Sequence, residues 1–339
     1  MCSLPACIRA CFLACCGVYR GFYGKNAMTK RHHWSRISES GTVFGMKLLL
    51  LIYRLLGRWG FRVVLFPVIA YYYLRNQPAR QASQQYLSRV QSCLQAQKSL
   101  SSFKHFLMFG ETLLDKFLVW MGQITLNDVQ FQTDGLFEQA IENKQGGIII
   151  VSHLGNTEVC NALARQQPDL KLTLLVYTRH AEKFNSLMQK VNQQAQVEMY
   201  QVTEMSPAFA MLMSERVEAG EFLVIAGDRT PVTGEQRVSE VDFLGASAPM
   251  PQGGFILAGL LGCPVFLMFC LKHPDGYHIY LEQFAEKLSW SRRERQLKLD
   301  NVVQQYAKCL QHYCLKAPLQ WFNFYPFWSA EIDSNRKSE

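Results

Sequence analysis

Acidic residues are almost missing from the first 80 positions of this 339-residue chain: Glu39 stands alone against twelve Lys and Arg. The rest holds 23 basic and 26 acidic residues, so the formal net charge of +8 belongs to one end of the molecule. A folded domain that reads nucleic acid does not concentrate its charge this way, and no nucleic-acid partner is expected. A soluble body with a basic, membrane-facing end does. Other absences narrow the field further. No uninterrupted apolar run approaches the roughly 20 residues that span a bilayer. There is no CxxC pair and no Cys/His ligand spacing, so no metal is expected. No Walker pattern and no G-x-G-x-x-G after a strand is present, so no nucleotide cofactor is expected either. No G-x-S-x-G elbow surrounds a serine, which leaves the chain without an evident nucleophile. Internal repeats and low-complexity segments are lacking. A hydrophobic content of 49% excludes disorder.

Five of the 11 cysteines (Cys2, Cys7, Cys11, Cys15, Cys16) lie in the first 16 residues. Arg9 and Arg20 interrupt that segment, so it lacks the apolar stretch of a secretory signal. Translation is expected to start at Met28, with a lipidated Cys-rich tip as the alternative. Cys160, Cys263 and Cys270 sit in apolar surroundings and read as reduced core residues, which implies a reducing compartment.

The chain divides into a basic segment (1–43), a membrane-associating helix (44–75), a helical subdomain (76–125), an α/β core (126–330) and a tail (331–339). In the helix 44–75, Arg54, Arg58 and Arg62 recur at i, i+4 and i+8 and share one face. Pro67 is expected to break it. Trp59, Tyr53 and the run Tyr71–Tyr73 are residue types that anchor at a lipid interface. A core helix with a solvated basic stripe is the other reading. Residues 79–97 and 103–122 read as amphipathic helices.

Beyond residue 146 short apolar runs alternate with helical stretches. Strands are expected at 147–153, 171–178, 197–202, 222–227, 264–270 and 277–284. Helices are expected near 157–166, 181–195, 206–219, 251–262 and 291–315. This alternation predicts an α/β fold with a mostly parallel sheet flanked by helices. Ligands bind beyond the carboxyl ends of such strands.

The stretch 146-GGIIIVSHLGNTEVCNALARQ-166 places Ser152-His153 at a strand end. A Gly155-Asn156 turn follows, with Asn156 as a candidate N-cap for a helix near Thr157. Four residues separate His153 from Glu158. A carboxylate there can hold one tautomer of the ring and stabilise imidazolium as the ring takes a proton. Free N–H groups in the first turn of that helix can bind an oxyanion or phosphate. The spacing alone is weak, since about 0.6 chance matches are expected in a chain of this composition. A core histidine beside a surface glutamate therefore stays open.

His-Leu-Gly-Asn-Thr-Glu, residues 153–158, resembles the HX4(D/E) motif of the lysophospholipid acyltransferase superfamily. It is most similar to the lipid A late-acyltransferase branch, although Thr157 stands where Trp is frequent. In the same order, 175-LVYTRH-180, 222-FLVIAGDRTP-231 and 242-DFLGASAPMPQGGFILAGLLGCPVFLMFC-270 resemble later blocks of that branch. The Arg-rich apolar region 45–75 resembles its membrane-associating amino terminus. The resemblance covers roughly residues 34–320. It looks closest to predicted acyltransferases encoded beside polyene-lipid or fatty-acid-like synthesis genes.

The resemblance implies a glycerol-phosphate-acyltransferase-like fold and an O-acyltransferase at the cytoplasmic face of a bacterial inner membrane. His153 would be the general base and Glu158 its partner. Gly155, Asn156, Arg179, Asp228, Arg229 and Gly254 would serve substrate binding. The donor would be an acyl-carrier protein or coenzyme A thioester, with the carrier protein preferred. The acceptor would be a hydroxyl of a membrane lipid or glycolipid. A membrane-bound thioesterase using the same pair and a non-enzymatic scaffold are the rival readings. The aromatic run 320-QWFNFYPFW-328 reads either as a packed cap or as a groove lining.

Overall fold

The computed structural model describes residues 39–95, 99–120, 122–157, 159–160, 170–176, 197–201, 206–229 and 237–328. The expectations for residues 1–38, for Glu158 and Arg179, for the helix at 181–195 and for the tail lie outside these. The chain forms two compact units. One comprises residues 1–87, 100–111 and 323–326, and the other residues 88–99, 112–322 and 327–339.

The first unit is built on helix α1 (Glu39–Arg75), most of helix α2 (Gln77–Leu94) and the first half of helix α3 (Ser102–Trp120). Phe61, Leu65, Val68, Ile69 and Tyr72 recur at helical spacing and are buried. Leu65 and Ile69 press on Gly110, where an added Cβ would lie 2.8 Å from Leu65 Cδ1. Tyr73 packs edge-on against Phe103 and Phe106, and Phe324 lies tilted against Phe106 and edge-on to Phe109.

One expectation about α1 is corrected. The helix continues through Pro67, and the departure from helical geometry falls at Gly57 (φ 65°, ψ −165°). Proline removes a single N–H bond, and the buried stripe on either side of Pro67 holds that stretch in place. A positive φ is open to glycine without steric cost. The break falls between Arg54 and Arg58. Arg62 is moreover engaged within the unit, through two hydrogen bonds of 2.9 and 3.0 Å to Glu111. No helix among the described residues is long and apolar enough to cross a membrane.

The second unit is an α/β core with a seven-stranded sheet. Its strands are β1 (Val129–Thr133), β2 (Gly147–Val151), β3 (Leu172–Val176), β4 (Val197–Gln201), β5 (Phe222–Ala226), β8 (Val265–His273) and β9 (Gly276–Ala285). They lie in the order β1-β9-β8-β2-β5-β3-β4. The five from β8 to β4 run parallel, while β9 and β1 run the other way because β9 returns from β8 as a hairpin. The central strands are apolar on both faces, and Ile148, Ile149 and Ile150 are each at most 2% exposed. Full burial of one such side chain contributes about 1.5–3 kcal/mol.

Helices α4 (Leu136–Glu142), α5 (Pro207–Glu218), α6 (Gly253–Leu261) and α7 (Arg295–Lys316) complete the unit. The α5 start is a local sequence effect: Ser206 accepts from Phe209 N–H, and Pro207 opens the first turn. Gly262 (φ 60°) ends α6.

The sequence reading did not foresee β1 or the separate hairpin of β6 (Val238–Phe243) and β7 (Ala246–Pro251). Its two-residue turn is Leu244-Gly245, both at positive φ (54° and 75°). Turns of that hand match the strand twist, but Asn-Gly or Asp-Gly signals them far better than Leu-Gly.

Candidate active site

Parallel pairing of neighbouring strands builds the site. β2 and β5 lie side by side with Val151 opposite Ala226. The chain leaving β2 therefore delivers Ser152-His153 beside the Gly227-Asp228 delivered by β5. Gly227 allows this crowding, since a Cβ there would lie 2.6 Å from Ile150 and 2.8 Å from Tyr306. His153 Nδ1 is 2.8 Å from Asp228 Oδ1, and the His153 main-chain N–H donates to Asp228 Oδ2 at 2.7 Å. Trp321 Nε1–H also donates to Asp228 Oδ2, at 2.9 Å.

The carboxylate that holds Nδ1 is thus Asp228, 75 residues further along the chain. The sequence reading gave that role to Glu158, whose side chain lies outside the described residues. From the sequence, Asp228 at its strand end is a candidate for a hydrogen bond behind the site or for substrate binding, with a mere turn residue as the alternative.

The electrostatics suit a base. Asp228 is 1% exposed. Burial works against its ionisation, but the charge and hydrogen bonds of His153, with Arg229, outweigh burial and hold its carboxyl below the usual carboxylate range. An ionised carboxylate only accepts, so Nδ1 carries the proton and Nε2 the lone pair. Burial, and then the Arg229 charge, lower the His153 pKa below its ordinary 6.5 against the opposing pull of Asp228. The side chain keeps 33% of its surface open. Neutral imidazole is therefore the resting form at physiological pH.

In the loop after His153 the main-chain donors are bound within the fold. Leu154 N–H donates to Ser152 Oγ at 3.3 Å, Gly155 N–H to Gln320 O at 2.8 Å and Asn156 N–H to Cys270 O at 2.9 Å. With the His153 N–H on Asp228, the main-chain donors of 153–156 are all engaged. Gly155 (φ 77°) is a packing requirement, because a Cβ would fall 1.9 Å from Cys270 O. Asn156 is 1% exposed, with Nδ2 3.4 Å from Thr112 O. Gly254 is buried where a Cβ would meet Ile150 and Ile225 at 2.9 and 3.1 Å.

Arg229 is partly buried and donates to Phe322 O at 3.1 Å. Its charge acts on His153 more strongly than that of Lys116. Ser152 is buried and serves the turn. Cys160, Cys263 and Cys270 are free and buried. Burial pushes the Cys263 thiol up to about 11 and the Cys270 thiol well up, so neither is a thiolate nucleophile at neutral pH.

The run 320–328 is a packed cap. Trp321 is fully buried and Phe322, Phe327 and Trp328 nearly so. Trp321 and Phe327 meet Phe243 at 5.3 and 5.9 Å. Sequence reasoning missed Trp321 as a site residue, and nothing in its local context marks it.

Among known proteins, the model of the bacterial lipid A biosynthesis acyltransferases matches residues 104–330. That span holds His153, Asp228, Arg229 and Trp321 and covers two thirds of the chain. No curated protein compared with the chain matches it.

Proposed function

We propose a function that proceeds from one premise: the chain belongs to the bacterial lipid A biosynthesis acyltransferase family. Acyl transfer in lipid synthesis follows from that membership, and the finer reading is ours. The protein moves an acyl group from a thioester of acyl-carrier protein or coenzyme A to a hydroxyl of a lipid or glycolipid. It does so at the cytoplasmic face of a bacterial inner membrane.

The observation that carries this is the buried Asp228 holding His153 through Nδ1 at 2.8 Å. Nε2, which has no hydrogen-bond partner among the described residues, takes the proton of the acceptor hydroxyl. The oxygen then attacks the thioester carbonyl. The tetrahedral intermediate collapses, the C–S bond breaks and the new ester C–O bond remains. The leaving thiolate recovers the proton from His153. No covalent acyl-enzyme is required, in keeping with the buried Ser152 and cysteine thiols. The turn's N–H groups being engaged, the Arg229 guanidinium is the counter-charge for the oxyanion. Arg179 and Glu158 remain candidates for substrate phosphate and for a second carboxylate.

Membrane association is supported by the outer face of α1. Leu55, Leu56, Trp59, Val63, Phe66 and Leu74 are each more than half exposed. Exposed apolar side chains of this number, on both sides of the Gly57 break and in the most basic part of the chain, suit an interfacial position beside anionic lipid.

Lipid mass spectrometry of cells carrying the wild-type chain or His153→Ala tests the proposal. An acylated lipid present only with the wild type is the expected outcome. Free fatty acid in its place would mean hydrolysis, and an unchanged lipid profile in His153→Ala would overturn the role of His153.

A further inference from the structure

We propose that Trp321 is a positioning residue of the active site, acting on His153 through Asp228, and that the strap 320–322 is built into the site rather than merely closing the fold. The inference rests on the general-base reading of His153.

The strap touches the site from end to end. Gln320 is fixed first: its side chain accepts from Lys272 N–H and donates to Lys272 O, both at 2.8 Å. Its own carbonyl then accepts from Gly155 N–H at 2.8 Å. Trp321 pairs with Leu154 as an antiparallel bridge. Phe322 N–H donates to His153 O at 2.9 Å, and Phe322 O accepts from Arg229. Three consecutive residues thus hold the backbone from the His153 carbonyl to Gly155 and the guanidinium beside it.

Trp321 adds an electrostatic effect. Its Nε1–H and the His153 main-chain N–H share Asp228 Oδ2, leaving Oδ1 to face Nδ1–H. Two donors on Oδ2 fix the plane of the carboxylate and draw charge away from Oδ1. Both effects are large at a carboxylate that is 1% exposed, where hydrogen bonds are little screened. Less charge on Oδ1 makes imidazolium less favourable and keeps Nε2 free as a base near neutral pH. A mere packing role for the indole would need no donor at that edge.

The test uses the full chain with three substitutions. Trp321→Phe removes the N–H, and Trp321→3-benzothienylalanine replaces it by sulfur at nearly constant shape, which guards against a folding failure. Trp328→Phe is the packing control, since Trp328 lies in the same aromatic cluster with a buried Nε1 that has no partner. Two readouts are followed: the pH profile of thiol release from an acyl-coenzyme A thioester with bacterial lipid extract, and the imidazole titration of His153 by nitrogen-15 NMR, which needs no turnover. Both Trp321 variants are expected to raise the His153 titration and the acidic limb together, by on the order of 0.5–1 pH unit. They should lower kcat about tenfold with KM within twofold. Trp328→Phe should move neither limb nor titration. Trp321 variants that titrate as the wild type, or a Trp328→Phe that shifts the limb equally, would overturn the inference. An active His153→Ala would instead sink the general-base reading, whatever Trp321 does.

Discussion

At Asp228 three N–H groups converge on one carboxylate that is 1% exposed. Such a group is costly to bury unless fully hydrogen-bonded, and here the bonds also decide the tautomer of His153. Removing the ring should lower the rate by about 10²–10⁴-fold with the fold intact, checked by thioester turnover and thermal melting of His153→Ala. Asp228→Asn keeps the shape but can present an amide donor to Nδ1, favouring the wrong tautomer. It should lose activity to a similar degree, and nitrogen-15 NMR should show the proton moved to Nε2. The pH dependence has a definite sign. The folded pKa of His153 lies below 6.5, so activity holds at neutral pH and falls on an acidic limb below 6.5. The unfolded ring binds protons first as the pH drops. Stability associated with the neutral ring is therefore complete above 6.5 and declines as the pH falls through the folded pKa. Denaturation midpoints of the wild type and His153→Gln, compared at pH 7.5 and pH 5, should diverge accordingly.

At the scale of elements, the turn after His153 is defined by backbone approach rather than by side-chain chemistry. Gly155 stands at φ 77° with Cys270 O where its Cβ would be. Gly155→Ala should cost at least about 2 kcal/mol from the left-handed backbone and the clash together, read as a lower melting temperature with a loss of turnover. Helix α1 shows a different logic, being apolar on two sides. One side, Phe61, Leu65, Ile69 and Tyr72, is packed, and the other, Leu56, Trp59 and Val63, is bare. Glutamates at Leu56, Trp59 and Val63 should abolish flotation with anionic vesicles and leave the melting temperature nearly unchanged, because those residues touch little. The Arg62–Glu111 pair is well formed, but Arg62 is 57% exposed, so it is worth no more than about 1 kcal/mol.

At the scale of the whole molecule, charge and apolar surface coincide at one end. Residues 1–80 carry one acid against twelve bases, while the remainder is slightly acidic. Binding should favour phosphatidylglycerol vesicles over zwitterionic ones. It should weaken as salt rises from 0.1 to 1 M and the Debye length falls from about 10 to 3 Å. The sequence alone suggests that cutting residues 1–75 would release an intact catalytic body. The packing of Phe61, Leu65 and Ile69 argues otherwise for the helical unit, since that cut would strip its buried stripe. The truncated chain should lose the cooperative melting of this unit and expose apolar surface to dye binding.

Local order was written plainly in the sequence. Strands β2 and β5 were legible because both their faces are apolar, and helix α5 because Ser206-Pro207 mark its start. His153 was legible because strand, glycine turn and helix follow one another within a few residues. The charge asymmetry needed only counting. What the sequence could not determine is whatever depends on residues brought together from afar. The partner of His153 is Asp228 because β2 and β5 pair in one register, and no spacing along the chain records that. Trp321 reaches the same carboxylate from 93 positions away. The engaged turn amides, the path of α1 through Pro67 and the Leu-Gly hairpin are likewise settled by packing. Local propensities act over a few residues, whereas a buried charge must find its donors wherever the fold supplies them, and only the tertiary structure shows where that is.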